Sequence, residues 1–465
     1  MLILLFYLGL LLNFIAIPVD TDFGWHLRCG QQFLETGKMC LNNNFSYFMP
    51  DYIWGYSSLL YDINIAWLYS HFGFWGVAFF GALVLFAVSL IFKLSYPKSK
   101  TLITSVSIWF FPSLFIINIG YRAQILTLLT LGLLILISKQ ILAATTIKKQ
   151  LILNSIAILL ITIWVNSHPS FVLGLLIYLT VCALQVWQKK YYYFMFALFA
   201  LIFSMLNPMG ISTYIEVLNH YTVDLSKLIA EWVRPSRLVQ IFVLLISFSL
   251  LYKTFKAERK KTIWLFFTFC LIISTYLALT AKRHLPIYLL VLVYYLEEFS
   301  VLQTLFSRYG FKIKLINISV AIITLFIGLV NLRNLVNTNS IESAYCTKAF
   351  VKLPCAQVSK IKATNTHIFT SYEWGGYLIW KQPQNKVFVD GRMPAWKTSD
   401  NKSPYTVYLE IIQARKGWQK TLDKYKTDFI FIPTGTFLDI LLKKGHPQYQ
   451  LLFSDDLASL YKRVN

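Results

Sequence analysis

Charge is what this chain has least of. Only 14% of its 465 residues are Asp, Glu, Lys or Arg, against 57% hydrophobic residues and a mean hydropathy of +0.57. That balance excludes an ordinary soluble domain and points to an α-helical polytopic membrane protein. A glycine-rich phosphate loop of the Walker or dinucleotide type is also missing, so those nucleotide chemistries have no signature here. The net charge of +22 comes from bases scattered among apolar stretches. Such scatter argues for anchoring at anionic lipid and against a nucleic-acid partner. The opening run Met1–Ile17 lacks the basic leader and the small-x-small cleavage site of a signal peptide, so a retained first helix is expected. Polar groups spread through span interiors and an inverted internal repeat are absent too, which weighs against the alternative of a lipid or solute transporter or flippase.

What is present is a series of apolar runs. With roughly 20 apolar residues needed per crossing, about eleven spans are expected. They fall near residues 1–17, 75–94, 101–119, 124–142, 151–166, 170–188, 191–206, 238–256, 262–281, 285–305 and 314–331. The connections sort into two alternating classes. One carries Lys93, Lys98 and Lys100; Lys139, Lys148 and Lys149; Lys189 and Lys190; Lys253, Lys256, Arg259, Lys260 and Lys261; and Arg308, Lys312 and Lys314. The positive-inside rule puts this class in the cytoplasm, with the amino terminus inside and everything after residue 331 outside the cell membrane. The other class holds nearly every unusual polar group of the membrane half: the loop 18–73, Tyr121–Gln124, Asn166–Pro169, Asn207–Ser236 and Lys282–His284.

From residue 332 the hydropathy drops, and a domain of roughly 130 residues is expected, a usual single-domain size. Strand-like runs at Thr366–Thr370, Lys386–Val389, Asp428–Pro433 and Tyr449–Phe453 alternate with helical stretches at 374–380, 404–425 and 436–444. That alternation predicts a small extracytoplasmic α/β domain with a mainly parallel sheet. The division is thus 1–331 as the transmembrane part with a large first outer loop, and 332–465 as the outer domain. Cys29 and Cys40 share that loop, and Cys346 and Cys355 share the start of the domain. In an oxidising compartment they read as two disulfides, with Cys182 and Cys270 as buried thiols inside spans.

Within the outer class, Asp20 and Asp22 stand just past the first span. A carboxylate there can act as a general base, the pair can hold a divalent cation such as Mg or Mn, or one of them can cap the helix expected over Phe23–Leu34. Trp25, Trp54, Trp67 and Trp75 can form an interfacial aromatic belt or, for a minority, stack on a sugar. His26, His168 and His284 show no metal-ligand spacing, so hydrogen-bonded roles in structure or substrate orientation are the stronger reading. Arg122, Arg234, Lys282 and Arg283 are cations at outer helix ends, where the positive-inside bias disfavours them. A phosphate at the membrane surface would account for them, as would snorkelling to lipid. Arg234 and Arg283 are each followed within two residues by proline. Glu231-Trp232 closes the long fourth outer loop, where a carboxylate can be either functional or merely solvated.

These stretches resemble a known family. Asp20-Thr21-Asp22-Phe23-Gly24-Trp25-His26-Leu27-Arg28-Cys29-Gly30, with Asn44-Phe45-Ser46-Tyr47 and Trp54, resembles the first outer loop of large prokaryotic membrane proteins with the GT-C glycosyltransferase architecture. Tyr121-Arg122-Ala123-Gln124 is similar to their Arg-Pro-Gln turn with alanine in place of proline, and Trp164–His168 to their Trp-x-Asn-x-His segment. Asn207-Pro208-Met209-Gly210, Glu231-Trp232 and Arg283-His284-Leu285-Pro286 follow in the family's order. Ser371–Trp380 and Val387–Arg392 resemble the family's tail and, more distantly, the Trp-Trp-Asp-Tyr-Gly segment of oligosaccharyltransferase catalytic subunits. The resemblance implies transfer of a sugar from a polyprenyl-phosphate or polyprenyl-diphosphate carrier to a glycan, lipid or protein acceptor. It implies Asp22 as the catalytic carboxylate, then Asp20; the loop position of Glu231 lets that carboxylate face the one from the first loop. Arg283, Arg234, Arg122 and Lys282 would hold the donor phosphate. His26, His168, His284, Trp25, Trp232, Trp374 and Asp390 would contact acceptor or sugar.

Overall fold

The computed structural model describes all residues except Pro18, Gly120, Leu228, Arg259, Lys260, Phe311, Asn339, Ser340, Ala349, Phe350 and Asn465. Arg259 and Lys260 of the expected cytoplasmic set therefore lie outside the described residues. The chain is a multi-pass helical membrane protein with a small sheet near its carboxyl end. Its residues divide into two compact units, the first made of Met1–Ala16, Ala78–Thr213 and Ile229–Thr338. The second is made of Ile17–Val77, Tyr214–Leu228 and Asn339–Asn465.

Among the described residues six helices are long and apolar enough to cross a bilayer: Leu59–Ser95, Gln124–Ala143, Ile147–Val165, Arg237–Phe255, Thr262–Thr280 and Ile313–Val336. The pair Lys282–Glu298 and Val301–Arg308, bent by 64°, is long and apolar enough to make a seventh when taken together. The bend falls where Ser300 takes a left-handed φ of 46°, after the charged Glu297-Glu298. Four more expected spans are apolar helices of 11 to 18 residues: Leu2–Phe14, Leu102–Ile119, Phe171–Trp187 and Tyr193–Phe203. The span expected at 75–94 begins sixteen residues earlier, at Leu59, and is broken at Gly73 (φ 58, ψ −150).

In the first unit, glycines set how closely helices approach. A β-carbon on Gly9 would meet the backbone of Leu325 and Thr324, and one on Gly328 would meet the Gly9 carbonyl. The first helix and Ile313–Val336 therefore pack backbone to backbone. Asn13 ties them further, its amide donating to the carbonyls of Gly9 and Thr324 at 2.7 and 2.8 Å. Cys182 and Cys270 are buried free thiols, as expected.

In the second unit a five-stranded sheet runs β2-β1-β3-β5-β4, with β1 His367–Thr370, β2 Lys386–Val387, β3 Phe429–Pro433, β4 Tyr449–Ser454 and β5 Ala458–Arg463. The β1–β2 and β1–β3 pairs are parallel, and β5 is antiparallel to both β3 and β4. The expected parallel sheet is therefore parallel on one side only. The fifth strand follows a turn in which Asp455 Oδ1 accepts the amides of Leu457 and Ala458 at 2.9 and 2.8 Å. The helix expected over 404–425 is two, Pro404–Ile412 and Trp418–Lys424, separated by left-handed Ala414 (φ 51) and Gly417 (φ 96). Cys29–Cys40 and Cys346–Cys355 are disulfides, with Cα separations of 5.5 and 6.0 Å.

Candidate active site

The second unit holds Asp20 and Asp22. The chain turns through them into the helix Phe23–Thr36, which ends at left-handed Gly37. Asp22 is the residue before that helix, yet its side chain makes no capping hydrogen bond. Asp20 Oδ1 instead accepts the Asp22 amide at 3.1 Å, and the Tyr345 hydroxyl donates to the Asp20 carbonyl at 3.3 Å. Capping therefore leaves the Asp22 carboxylate unexplained.

The helix Tyr372–Lys381 lies against this turn, and glycine is what lets it approach. A β-carbon on Gly24 would strike the Gly376 carbonyl, one on Gly376 the Thr21 carbonyl, and one on Gly375 the Val389 carbonyl. Gly391 meets Asp22 itself, since any β-carbon there would overlap the carboxylate oxygen Oδ1. The Tyr372 hydroxyl donates to the Gly391 carbonyl at 3.4 Å. Burial, and then the charges of Asp22 and Asp390, push the Tyr372 hydroxyl well above the ordinary tyrosine range. Tyr372 is thus a stable neutral donor. The Glu373 carboxyl is also raised, by burial.

Asp390 is fully committed. Its Oδ1 accepts from Arg392 Nε at 2.8 Å and its Oδ2 from Arg392 Nη2 at 2.7 Å, and both side chains are 0% exposed. Arg392 Nη2 also donates to Asn43 at 2.9 Å, and the rings of Phe45, Trp54 and Trp396 surround the guanidinium at 5.1 to 5.7 Å. Trp374 is fully buried, its indole donating to the Lys352 carbonyl at 3.0 Å. His26 meets the buried Asp62 carboxylate at 2.6 Å, and the Tyr56 hydroxyl donates to the same carboxylate at 2.8 Å. Trp25 stacks on His26 with centroids 3.5 Å apart and meets Trp54 edge-on at 5.6 Å. Trp25 and Trp54 are interior residues, whereas Trp67 and Trp75 keep 48% and 39% of their surface exposed. The belt reading survives only for the second pair. Among the described residues the indole N–H groups of Trp25, Trp54 and Trp396 are buried without hydrogen-bond partners.

The first unit gathers the outer cations. Arg122 precedes the helix Gln124–Ala143, Arg283 sits in the short turn Lys282–His284 ahead of Leu285–Glu298, and Glu231 sits in the turn Ala230–Trp232. Arg122 Nη1 reaches Glu231 Oε2 at 2.7 Å, and Arg283 Nη1 reaches Oε1 at 2.8 Å. Burial works to raise the Glu231 carboxyl, but the Arg283 and Arg122 charges outweigh it and hold it below the ordinary range. The Trp232 ring covers the Arg283 guanidinium at 4.7 Å and meets His284 edge-on at 5.8 Å. Gln124 donates to the Arg283 carbonyl at 2.9 Å. Two guanidiniums from separate helix starts thus share one carboxylate, leaving a net positive charge. Arg234 and Lys282 are exposed.

The two histidines of the first unit have separate partners. His168 bonds Thr127 and Ser170 at 3.1 and 2.8 Å, and His284 bonds the Leu277 carbonyl at 3.0 Å. Among the described residues no group of three His, Cys, Asp or Glu can hold a metal. Asp20 and Asp22 bring only two carboxylates, one oxygen already on a backbone amide, so the donor set does not make a hard-cation shell. Asp62, Asn43, Gly391 and Arg392 were not singled out from sequence. A lone carboxylate on the helix beginning at Leu59 was the available signal for Asp62; the others depend on residues far along the chain.

No family model and no curated protein sequence matches this chain. Solved structures do. The archaeal oligosaccharyltransferase AglB from Archaeoglobus fulgidus, in complex with an inhibitory peptide and a dolichol-phosphate, is similar over 93% of this chain and 69% of its own, at 10% identity and a TM-score of 0.55. ArnT from Cupriavidus metallidurans, in the apo state, is similar over 99% and 96%, at 8% identity and a TM-score of 0.50. The chain therefore has the fold of GT-C glycosyltransferases.

Proposed function

We propose that this protein is an inverting membrane glycosyltransferase that takes a sugar from a polyprenyl-phosphate or polyprenyl-diphosphate carrier at the extracytoplasmic face. In this reading residues 1–331 form the catalytic membrane part and 332–465 an outer domain, with the amino terminus in the cytoplasm. The observation that carries it is the convergence of Arg122 and Arg283 on Glu231, in a GT-C fold. Paired guanidiniums suit phosphate oxygens, which they bind bidentately. The dolichol-phosphate in the AglB complex is a ligand of that chemical type.

Asp22 takes the proton of an acceptor hydroxyl, and that oxygen attacks the anomeric carbon as the bond to the carrier phosphate breaks. The electron pair leaves on the phosphate oxygen, where Arg283 and Arg122 neutralise it, with Lys282 and Arg234 adding positive potential. Stabilising charge that develops in the transition state is usually the largest catalytic contribution. Glu231 holds the two guanidiniums together while phosphate is absent. Trp25, His26, Trp232, His168 and His284 orient sugar or acceptor, and Trp374 and Asp390 act by shaping the wall behind Asp22. No step is routed through a metal.

The test is sugar transfer by the protein reconstituted in liposomes with polyprenyl-phosphate [14C]mannose, glucose or galactose and an envelope glycan extract. Label should leave the carrier, and Asp22→Asn should stop it without unfolding the protein. A fully active D22N, or no label released from any of the donors, would overturn the reading.

A further inference from the structure

Resting on that reading of Asp22, we infer that the turn Asp390-Gly391-Arg392 is the positioning device for the catalytic carboxylate, with Gly391 as its bearing surface and Arg392 as its lock. Gly391 leaves its β-carbon space to Asp22 Oδ1. No other residue type can stand there without moving the carboxylate, so one face of Asp22 rests on backbone. A bearing of this kind works only if the turn is rigid.

Rigidity comes from three sources. Arg392 spans both oxygens of Asp390 with its side chain, and its own amide donates to Asp390 Oδ1 at 3.0 Å. Asn43 takes the remaining reach of Nη2, and its amide is anchored on the Met49 carbonyl at 2.7 Å. Three aromatic rings close round the guanidinium. A planar fork held along its Nε/Nη2 edge and covered on its faces has a single orientation, which an ammonium could not reproduce. On the other side of the turn, Tyr372 holds the Gly391 carbonyl. Charge in this turn is internally cancelled, so its effect on Asp22 is placement. Misplacing a reacting group by about 1 Å can cost about a hundredfold in rate.

The experiment compares Asp22→Asn, Gly391→Ala, Arg392→Lys and the double variant Asp390→Asn with Arg392→Gln in the liposome transfer assay, with thermal unfolding of each protein. Gly391→Ala should lower kcat at least tenfold while donor KM stays within twofold and the unfolding temperature is unchanged. The neutral double variant keeps side chains of similar shape without a stranded buried charge, and it should lower kcat less than Gly391→Ala does. Arg392→Lys keeps the charge but not the fork and should also lower kcat. A Gly391→Ala protein with wild-type kcat, alongside an inactive D22N, overturns the positioning role and leaves the proposed reaction standing. An active D22N overturns the proposed reaction itself. A uniform fall in unfolding temperature with kcat and KM changing together would reduce the turn to a structural element.

Discussion

Two clusters of arginine and carboxylate use the same groups to opposite ends. In the second unit Asp390 and Arg392 are one to one, with both side chains wholly buried. In the first, Glu231 serves both Arg122 and Arg283, and the three side chains keep 13 to 21% of their surface exposed. In the closed pair both Asp390 oxygens and Arg392 Nε and Nη2 are taken and neither side chain is exposed, so it holds shape. The open triad carries one surplus positive charge and is reachable, so an incoming anion can replace its carboxylate. Burial and stoichiometry, rather than residue type, separate the closed scaffold pair from the triad proposed to bind phosphate.

The largest effect that would sharpen this contrast is on chemistry. Removing both arginines of the triad (R122A with R283A) should lower sugar transfer by about a hundredfold or more, as for loss of preorganised oxyanion donors. R283K should keep the charge but lose the fork, costing about tenfold. Transfer that survives the double substitution would break the assignment of the open triad to phosphate.

Stability comes next. Asp390→Ala strands a buried guanidinium and should cost about 3–5 kcal/mol. Glu231→Ala leaves partly hydrated arginines and should cost about 1 kcal/mol or less. Equal losses in denaturant unfolding would erase the distinction between the clusters.

Acid offers a subtler test. The Glu231 carboxyl lies below its ordinary value in the folded protein, so its ionised form stabilises the fold above the unfolded-state pKa of about 4.3. That contribution declines only as pH falls from there towards the folded-state value. The stability difference between wild type and E231Q should therefore be flat from neutral pH to about 4.3 and shrink below it. A difference that already fades between pH 7 and 5 would contradict the pairing. The smallest effect is at Trp232. Removing its ring from Arg283 (W232A) forfeits about 0.5–1 kcal/mol of cation–π attraction, read as a rise of about threefold in donor KM.

Much of this was legible along the chain. The long helices announced themselves by unbroken apolar composition, and the cysteine pairs by closeness in sequence. Asp20 and Asp22 stood out because carboxylates are rare beside a span. Other features were hidden for physical reasons. Strand β5 follows a turn made by Asp455, and its pairing with β3 is visible only once the sheet exists. The break at Ala414 and Gly417 interrupts a stretch whose composition still reads as helix. Buried Trp25 and exposed Trp67 look alike in sequence, because burial belongs to the packed unit.

By itself the sequence determined the class of solvent each stretch must face, the helix-forming runs, the disulfide partners and a short roster of reactive side chains. These are local properties, set by composition and spacing. Only the tertiary structure decided that Gly391 stands against Asp22, that Arg392 consumes Asp390, and that Arg122, Glu231 and Arg283 meet. Those contacts join residues far apart in the chain, and their form depends on burial, close packing and which charges are left over once the buried pairs are satisfied.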